Sequence, residues 1–386
     1  MSKMKIGLVC PYNIHRPGGV LEVVLALKSG LEDRGHIVKI ITPKPRNHEM
    51  DPEPDVIYAG TSTDFRTLSF SDTTSQVSST ADNEQIDAML AEEQFDILHF
   101  HEPWQPLLSR QLLQRSTSVN IATFHSKVSD ALMSRSILKA VAPYLNSVMK
   151  YLHVLTAVSD AGASYAAGIT KQPITIIPNG IDLKKYQRGA DLRQKKKDGQ
   201  TILYVGRLEN RKGVKYLLKA FQLLSQDNPD AKLIIAGDGP DREKLELLAD
   251  DLKLKNISFL GFVSEELKID LLSEADLFCS PALFGESFGI VLLEAMAAGA
   301  VCVAGNNSGY VGVMQGLGGL SIINPEDTEE FARRLDLLLH EQDLRKLWRT
   351  WADEYVLQFN YPNVVDQYEE LYVESLKRYA TTHKVA

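Results

Sequence analysis

Gly285-Glu286-Ser287-Phe288-Gly289-Ile290-Val291-Leu292-Leu293-Glu294-Ala295-Met296-Ala297-Ala298-Gly299 sets two carboxylates eight positions apart across a loop-to-helix junction. The apolar run Ile290–Ala298 has helix length, and Gly299 ends it as glycine commonly ends a helix. A strand-like run precedes the stretch at Leu277–Ser280, and another follows at Val301–Ala304. With the helix starting near Gly289, Glu286 lies just outside its N-terminus and Glu294 about one turn inside. The amides of Phe288, Gly289, Ile290 and Val291 then belong to the first turn, whose donors lack intrahelical acceptors and favour an anion. A diphosphate fits there, with one glutamate toward each of its ends.

The same alternation of short apolar runs and helical patterns extends over the chain. Strands are expected at Lys5–Cys10, Ile37–Thr42, Asp96–Phe100, Asn120–Phe124, Val154–Val158 and Ile174–Ile177 in the first half. The second half reads Thr201–Val205, Lys232–Ala236, Ile257–Leu260, Leu277–Ser280, Val301–Ala304 and Leu320–Ile323. Helices fall between them, among others at Val20–Arg34, Val214–Ser225, Asp241–Leu252, Glu265–Ser273 and Pro325–His340. Such alternation implies α/β architecture with parallel sheets covered on both faces. Pro178-Asn179-Gly180 is a turn signal, and Lys184–Lys197 carries seven Lys or Arg against one Asp before a new strand at Thr201. The expected organisation is a Rossmann-like domain over 1–182, a basic linker over 183–200, a second Rossmann-like domain over 201–361 and a terminal helix over 362–386. Ligand sites in doubly wound sheets lie at the C-terminal ends of the strands, so a cleft between the two domains is expected, with closure around the ligand. Thr61–Thr80, with twelve Ser or Thr in twenty residues, shows neither period and is expected to be a polar loop.

A chain of 386 residues has room for two cored domains, and 44% hydrophobic with 24% charged residues is ordinary globular composition. A net charge of −8 argues against a broad basic face for nucleic acid. Cys10, Cys279 and Cys302 sit in or beside apolar runs without metal spacing and are expected to be buried small hydrophobes. No apolar run reaches the roughly 18 residues of a membrane span and the N-terminal run is too short for a signal peptide, so a cytoplasmic protein is expected.

Four further motifs stand at strand ends. Gly206-Arg207-Leu208-Glu209-Asn210-Arg211-Lys212-Gly213 follows the strand ending at Val205 and opens a helix. Arg207 can grip phosphate oxygens with its fork while Lys212 acts as a mobile point charge, and Arg211 is a third cation on the same loop. Pro11-Tyr12-Asn13-Ile14-His15-Arg16-Pro17-Gly18-Gly19-Val20 sits between the first strand and its helix. Gly18 and Gly19 let a ligand approach the backbone at a helix start, although a G-x-G-x-x-G dinucleotide site is absent. Phe100-His101-Glu102-Pro103 and Thr123-Phe124-His125-Ser126 each close a strand. No D-x-D triplet or metal-spaced cluster occurs, so Arg, Lys and helix dipoles must neutralise any diphosphate, and no metal or other cofactor is expected.

These motifs together resemble the retaining glycosyltransferases of family 4, which have the GT-B fold of two Rossmann-like domains facing an interdomain cleft. The resemblance spans nearly the whole chain and within the family is nearest to the phosphatidylinositol mannosyltransferases. It implies a hexosyltransferase moving mannose from GDP-mannose to a lipid or glycan hydroxyl, with peripheral contact at the inner membrane face. Residue by residue, it implies donor pyrophosphate binding by Gly18, Gly19, Arg207, Lys212 and the Phe288–Gly289–Ile290–Val291 turn. It implies catalytic roles for His125 and Glu286 at the donor sugar, ribose binding by Glu294, and acceptor contacts at Tyr12 and Asn13. One departure concerns the membrane: Ser71–Gln94 holds six acidic residues and no Lys or Arg where the family carries a basic amphipathic helix. Lys127–Lys150, with four basic residues against one Asp and apolar residues at helical spacing, is a partial substitute. Two other readings share the features: a non-hydrolysing nucleotide-sugar epimerase and a non-catalytic nucleotide-sugar-binding protein.

Overall fold

The computed structural model describes residues 3–15, 18–45, 53–66, 74–78, 81–103, 108–125, 143–186 and 199–383. The chain divides into two compact units, Met1–Asn179 with Tyr361–Ala386, and Gly180–Asn360.

In the first unit the strands are β1 (Lys5–Val9), β2 (Ile37–Lys44), β3 (Val56–Arg66), β4 (Thr74–Ser78), β5 (Ile97–His101), β6 (Val119–Phe124), β7 (Val154–Ala157) and β8 (Ile174–Ile176). They form one sheet in the order β4-β3-β2-β1-β5-β6-β7-β8. Its pairs are parallel except β3 with β4. The order reverses direction between β1 and β5, which is where a doubly wound sheet opens a crevice for ligands.

The Ser/Thr-rich stretch expected to be a loop departs from that expectation. Residues 61–66 continue β3, and Thr74–Ser78 pairs antiparallel with it from Ser62↔Ser78 to Arg66↔Thr74. Ladder hydrogen bonds come from the backbone and need no apolar period, so a polar composition conceals them. Residues 67–73 and 79–80 lie outside the described residues, as do 126–142 of the basic stretch that was a candidate membrane face and 187–198 of the basic linker.

The second unit contains β9 (Thr201–Val205), β10 (Lys232–Ala236), β11 (Ile257–Gly261), β12 (Leu277–Ser280), β13 (Val301–Gly305) and β14 (Ile322–Ile323), ordered β11-β10-β9-β12-β13-β14. Here the switch point lies between β9 and β12. The expected strand Leu320–Ile323 shortens to two residues, because the glycine-rich Gly316–Ser321 winds into a 3₁₀ turn.

Strand periodicity also sorts the histidines. Along β5, Leu98 and Phe100 join a cluster with Ala122 and Phe124 on one face of the sheet. Ile97 joins the opposite cluster with Val119, Ile121, Tyr368 and Tyr372. His99 and His101 follow Ile97 by twos, so they share its face, beneath the terminal helix Tyr361–His383. Burying aliphatic side chains such as Ile6, Leu8 and Ile97 contributes about 1.5–3 kcal/mol each and holds this arrangement together.

Candidate active site

In the second unit three loops meet at the ends of β9, β12 and β13. Gly213 caps helix Val214–Asp227 with φ +71, a left-handed conformation that disfavours side chains. A Cβ there would stand 2.1 Å from the Pro281 carbonyl oxygen, so only glycine lets this loop press onto the end of β12. The Leu283 amide donates to the Arg211 carbonyl at 2.8 Å and fastens the two loops. Helix Ile290–Ala297 starts after Gly289, whose φ of +114 turns the chain abruptly from loop to helix. The first helical return bond runs from the Leu292 amide to the Gly289 carbonyl at 2.9 Å. The expected turn therefore forms, with Glu286 outside it and Glu294 within.

Between these loops lies a charge cluster. Glu286 Oε1 receives Arg211 Nη1 at 2.6 Å and Lys212 Nζ at 2.8 Å. Glu209 holds Arg211 Nε at 2.8 Å on one oxygen and Arg207 Nε at 2.5 Å on the other. Three cations face two carboxylates, leaving one net positive charge. Burial alone would raise the Glu286 carboxyl, but Lys212 and Arg211 outweigh it and hold it below the ordinary carboxylate range. Tyr204, whose hydroxyl donates to the Arg207 carbonyl at 2.9 Å, and Tyr310, 2.8 Å from Ser280 Oγ, lie buried beside it. Burial, and the Glu286 charge after it, push both phenols up, so both stay neutral.

Glu294 is buried and bound at 2.9 Å by Lys268 Nζ, which also holds Glu265 at 2.9 Å. Ser264 starts the helix carrying Lys268, its hydroxyl accepting from the Leu267 amide at 3.2 Å. Burial pulls Lys268 down, and the two glutamates more than reverse it. Phe288 is buried, its ring edge-on to Phe359 with centroids 5.9 Å apart, which anchors the loop between the two glutamates. The structure thus gathers Arg207, Lys212 and Glu286 with Arg211 and Glu209, and ties Glu294 to Lys268. Arg211 was the weakest of the three cations from sequence, and Lys268 carried no signal, because its partner lies 26 positions away.

In the first unit the remaining residues stand at the ends of β1, β5 and β6. Gly18 is extended, with φ −179, and caps helix Gly19–Glu32. A Cβ on Gly18 would meet nothing within 4 Å, so neither conformation nor packing demands this glycine, whereas a ligand approaching the backbone would. Tyr12 accepts the Thr42 hydroxyl at 2.8 Å through its carbonyl, and the buried Asn13 side chain accepts the His15 amide at 2.9 Å.

His125 follows β6, and its backbone amide donates to Glu102 Oε1 at 3.0 Å. Glu102 is fully buried at φ +55, an uncommon conformation for a side-chain-bearing residue and one that clusters at functional sites. His125 Nε2 is 2.8 Å from His101 Nδ1. Burial pushes His125 down to about 4, against an opposing hydrogen bond to Asn179. His99 is pushed down to about 3 and His101 well down, again by burial first and then by the neighbouring histidines. All three rings are neutral at physiological pH.

Cys10, Cys279 and Cys302 are buried free thiols, as expected, with Cys10 pushed up to about 12 by burial. Among the described residues no helix is long and apolar enough to cross a membrane, and no three His, Cys, Asp or Glu side chains gather to hold a metal.

Two family descriptions match this chain, one in each half: Glycosyltransferase Family 4 over residues 17–185 and Glycosyl transferases group 1 over residues 190–354. The phosphatidyl-myo-inositol mannosyltransferase of Mycolicibacterium smegmatis is 32% identical over 371 residues, covering 96% of this chain and 93% of its own. The protein of the same name from Propionibacterium freudenreichii is 28% identical over 391 residues, covering 99% and 98%. Among solved structures, sucrose-phosphate synthase of Thermosynechococcus elongatus aligns with a TM-score of 0.74 at 20% identity, covering 96% of this chain and 99% of its own. Anabaena HepE in complex with UDP-glucose aligns at 0.73 and 19%, covering 96% and 100%. At those identities the structural likeness speaks for the GT-B fold.

Proposed function

The chain belongs to glycosyltransferase family 4, and from that premise we propose that it is a retaining, metal-independent hexosyltransferase moving mannose from GDP-mannose to a lipid or glycan hydroxyl. The observation that carries the proposal is the Glu286 carboxylate, a partly buried group kept ionised by Arg211 and Lys212 beside the start of helix Ile290–Ala297. An ionised carboxylate suits a sugar's hydroxyls, and the cations and helix start suit the diphosphate attached to that sugar. Lys212 has three N–H donors, so it can serve Glu286 and a phosphate oxygen together. Arg207, with its side chain 42% exposed, is the cation most open to a ligand. Glu294 would take the ribose hydroxyls, with Lys268 setting its position.

In the proposed reaction the bond from sugar C1 to the diphosphate oxygen breaks as the acceptor oxygen bonds to C1 on the same face. The acceptor proton passes to the departing phosphate. Arg207, Lys212 and the amides from Phe288 to Val291 stabilise the charge that develops there, which is the work a divalent cation does elsewhere. Gly18 and Gly19 would close on the same phosphates, His125 would orient the sugar, and Tyr12 with Asn13 would meet the acceptor. The names of the relatives favour mannose and an inositol lipid. Helix Asn83–Glu93, however, exposes Glu84, Asp87 and Glu92, and such a face is repelled by anionic lipid. A membrane contact would therefore be peripheral and made elsewhere.

Thermal shift with GDP, UDP, ADP, CDP and dTDP and their sugar conjugates, with and without EDTA, tests the donor. At a hundred times its dissociation constant the right nucleotide stabilises by about 2.7 kcal/mol. A GDP-selective response that survives EDTA is expected. A UDP-only response would discard mannose, and no response to any nucleotide would refute the transferase.

A further inference from the structure

His101 and Glu102 form a sequence motif that the proposed reaction leaves without a task. We propose that His101 is a positioning residue: its Nδ1–H donates to His125 Nε2 and so fixes His125 in the tautomer that carries its own proton on Nδ1. The proposal rests on the reading of His125 as the group that orients the donor sugar.

The geometry decides between two ways of sharing one proton. The rings of His101 and His125 meet through Nδ1 and Nε2 at 2.8 Å, so one of these atoms donates. His101 is fully buried, and among the described residues its Nε2 has no hydrogen-bond partner. If His125 donated, the single proton of neutral His101 would sit on that Nε2, leaving a buried N–H with nothing to accept it. Orphaned buried N–H groups are rarer in folded proteins than under-used acceptors. If His101 donates, the atom without a partner is only a lone pair. With Nε2 committed to His101, the edge His125 offers to a ligand is Nδ1–H, a donor to a sugar oxygen.

His101 is itself held. Its ring lies on His99, with centroids 4.3 Å apart and planes tilted by 35°. His99 is pinned at both nitrogens, by Tyr372 Oη at 2.7 Å and Thr123 Oγ1 at 2.6 Å. Thr123 Oγ1 in turn stands 2.6 Å from Thr156 Oγ1 and 3.2 Å from Tyr368 Oη. Glu102 fixes the His125 backbone, so ring and main chain are set by adjacent residues of one motif. A network in which every other member is paired is rigid, and rigidity is what a positioning group needs.

The first test needs no variant. In the full chain carrying ¹⁵N-histidine, long-range ¹H–¹⁵N correlation at neutral pH should show His125 with Nδ1 protonated and Nε2 bare, the ring being assigned by its disappearance in His125→Asn. The reverse pattern overturns the proposal. The second test compares His101→Asn, whose amide nitrogen keeps a donor near the place of Nδ1, with His101→Leu, which keeps none. Transfer by His101→Leu should lose about 10²-fold in kcat with donor KM within about threefold, the expected cost of a misplaced group. His101→Asn should recover at least about tenfold of that loss and keep the His125 tautomer. Equal losses in the two variants would reduce His101 to a packing residue and overturn its assignment. The spectrum reads the tautomer whether or not sugar is transferred. A chain inert toward every nucleotide sugar, yet with Nδ1 protonated, would keep the His101 assignment and remove only the reading of its purpose.

Discussion

Replacing Lys212 by alanine separates its proposed work in catalysis from its place in the fold. Its ammonium lies 2.8 Å from Glu286 Oε1, the same oxygen that Arg211 reaches at 2.6 Å. Without Lys212 the carboxylate therefore keeps a partner, no buried charge is orphaned, and the protein should fold. The local charge drops from +1 to 0, at the place where the proposed reaction has the departing diphosphate gather negative charge. Losing one such preorganised group costs about 2.7 kcal/mol or more in the transition state, at least about a hundredfold in kcat/KM.

A second consequence has a definite sign. Burial raises the Glu286 carboxyl, while Lys212, then Arg211, lower it more strongly. Removing the larger of the two cationic contributions moves the carboxyl upward. If the reaction needs the ionised form, the acid limb of the kcat/KM profile should shift to higher pH in the variant. Initial rates of transfer from a radiolabelled nucleotide sugar, measured across pH beside circular dichroism and melting curves, check both effects. A folded Lys212→Ala enzyme within about threefold of wild type, its acid limb unmoved, would remove Lys212 from the site and with it the account of charge neutralisation given above.

Two other outcomes follow from the same geometry. Gly289→Ala places a Cβ at φ +114 and 2.7 Å from the Tyr310 ring, so differential scanning calorimetry should show a loss of about 2 kcal/mol or more. An unchanged Tm would refute the claim that this turn demands glycine. The buried histidines make the fold acid-sensitive in a direction opposite to the usual paired histidine. Folded His99 and His125 lie near 3 and 4, below the unfolded value of about 6.5. The unfolded chain therefore binds more protons between those limits, and stability falls as pH drops from 6.5 toward 4. The slope approaches about 1.4 kcal/mol per pH unit for each histidine, readable in urea titrations, and His99→Gln should remove one such contribution. An identical slope in that variant would place the acid sensitivity elsewhere.

Much of the fold was legible because parallel sheets bury both faces and so print their strands as short apolar runs. Thr201–Val205, Lys232–Ala236 and Leu277–Ser280 fall where the composition puts them. The polar β3–β4 pairing and the glycine-rich turn before β14 escaped, since backbone hydrogen bonds and glycine torsions leave no apolar period. The site was half legible for a related reason. Motifs show residues that must be near in sequence, such as Arg207 with Lys212, or the glutamates flanking one helix start. Partners chosen by the fold do not show: Arg211 and Glu286 are 75 positions apart, and His99 and Tyr372 are 273 apart.

The missing partners share one property. Each answers a cost that burial imposes on a polar or charged group. Glu286 could not stay ionised within the protein without compensating cations, so Arg211 and Lys212 had to converge on it from the loop after β9. Glu294, which is buried, draws Lys268 from another helix. The neutral histidines solve the same problem in the other sense, by giving up charge and satisfying single protons through Thr123, Tyr372 and one another. Glu209 belongs to the same scheme, since without it Arg207 and Arg211 would stand beside Lys212 as three like charges on one short loop. The balance it leaves is one positive charge at a helix start, which is what the proposed site would offer a diphosphate. A variant that neutralises Glu209 should therefore loosen the loop more than it strengthens the pull on the donor.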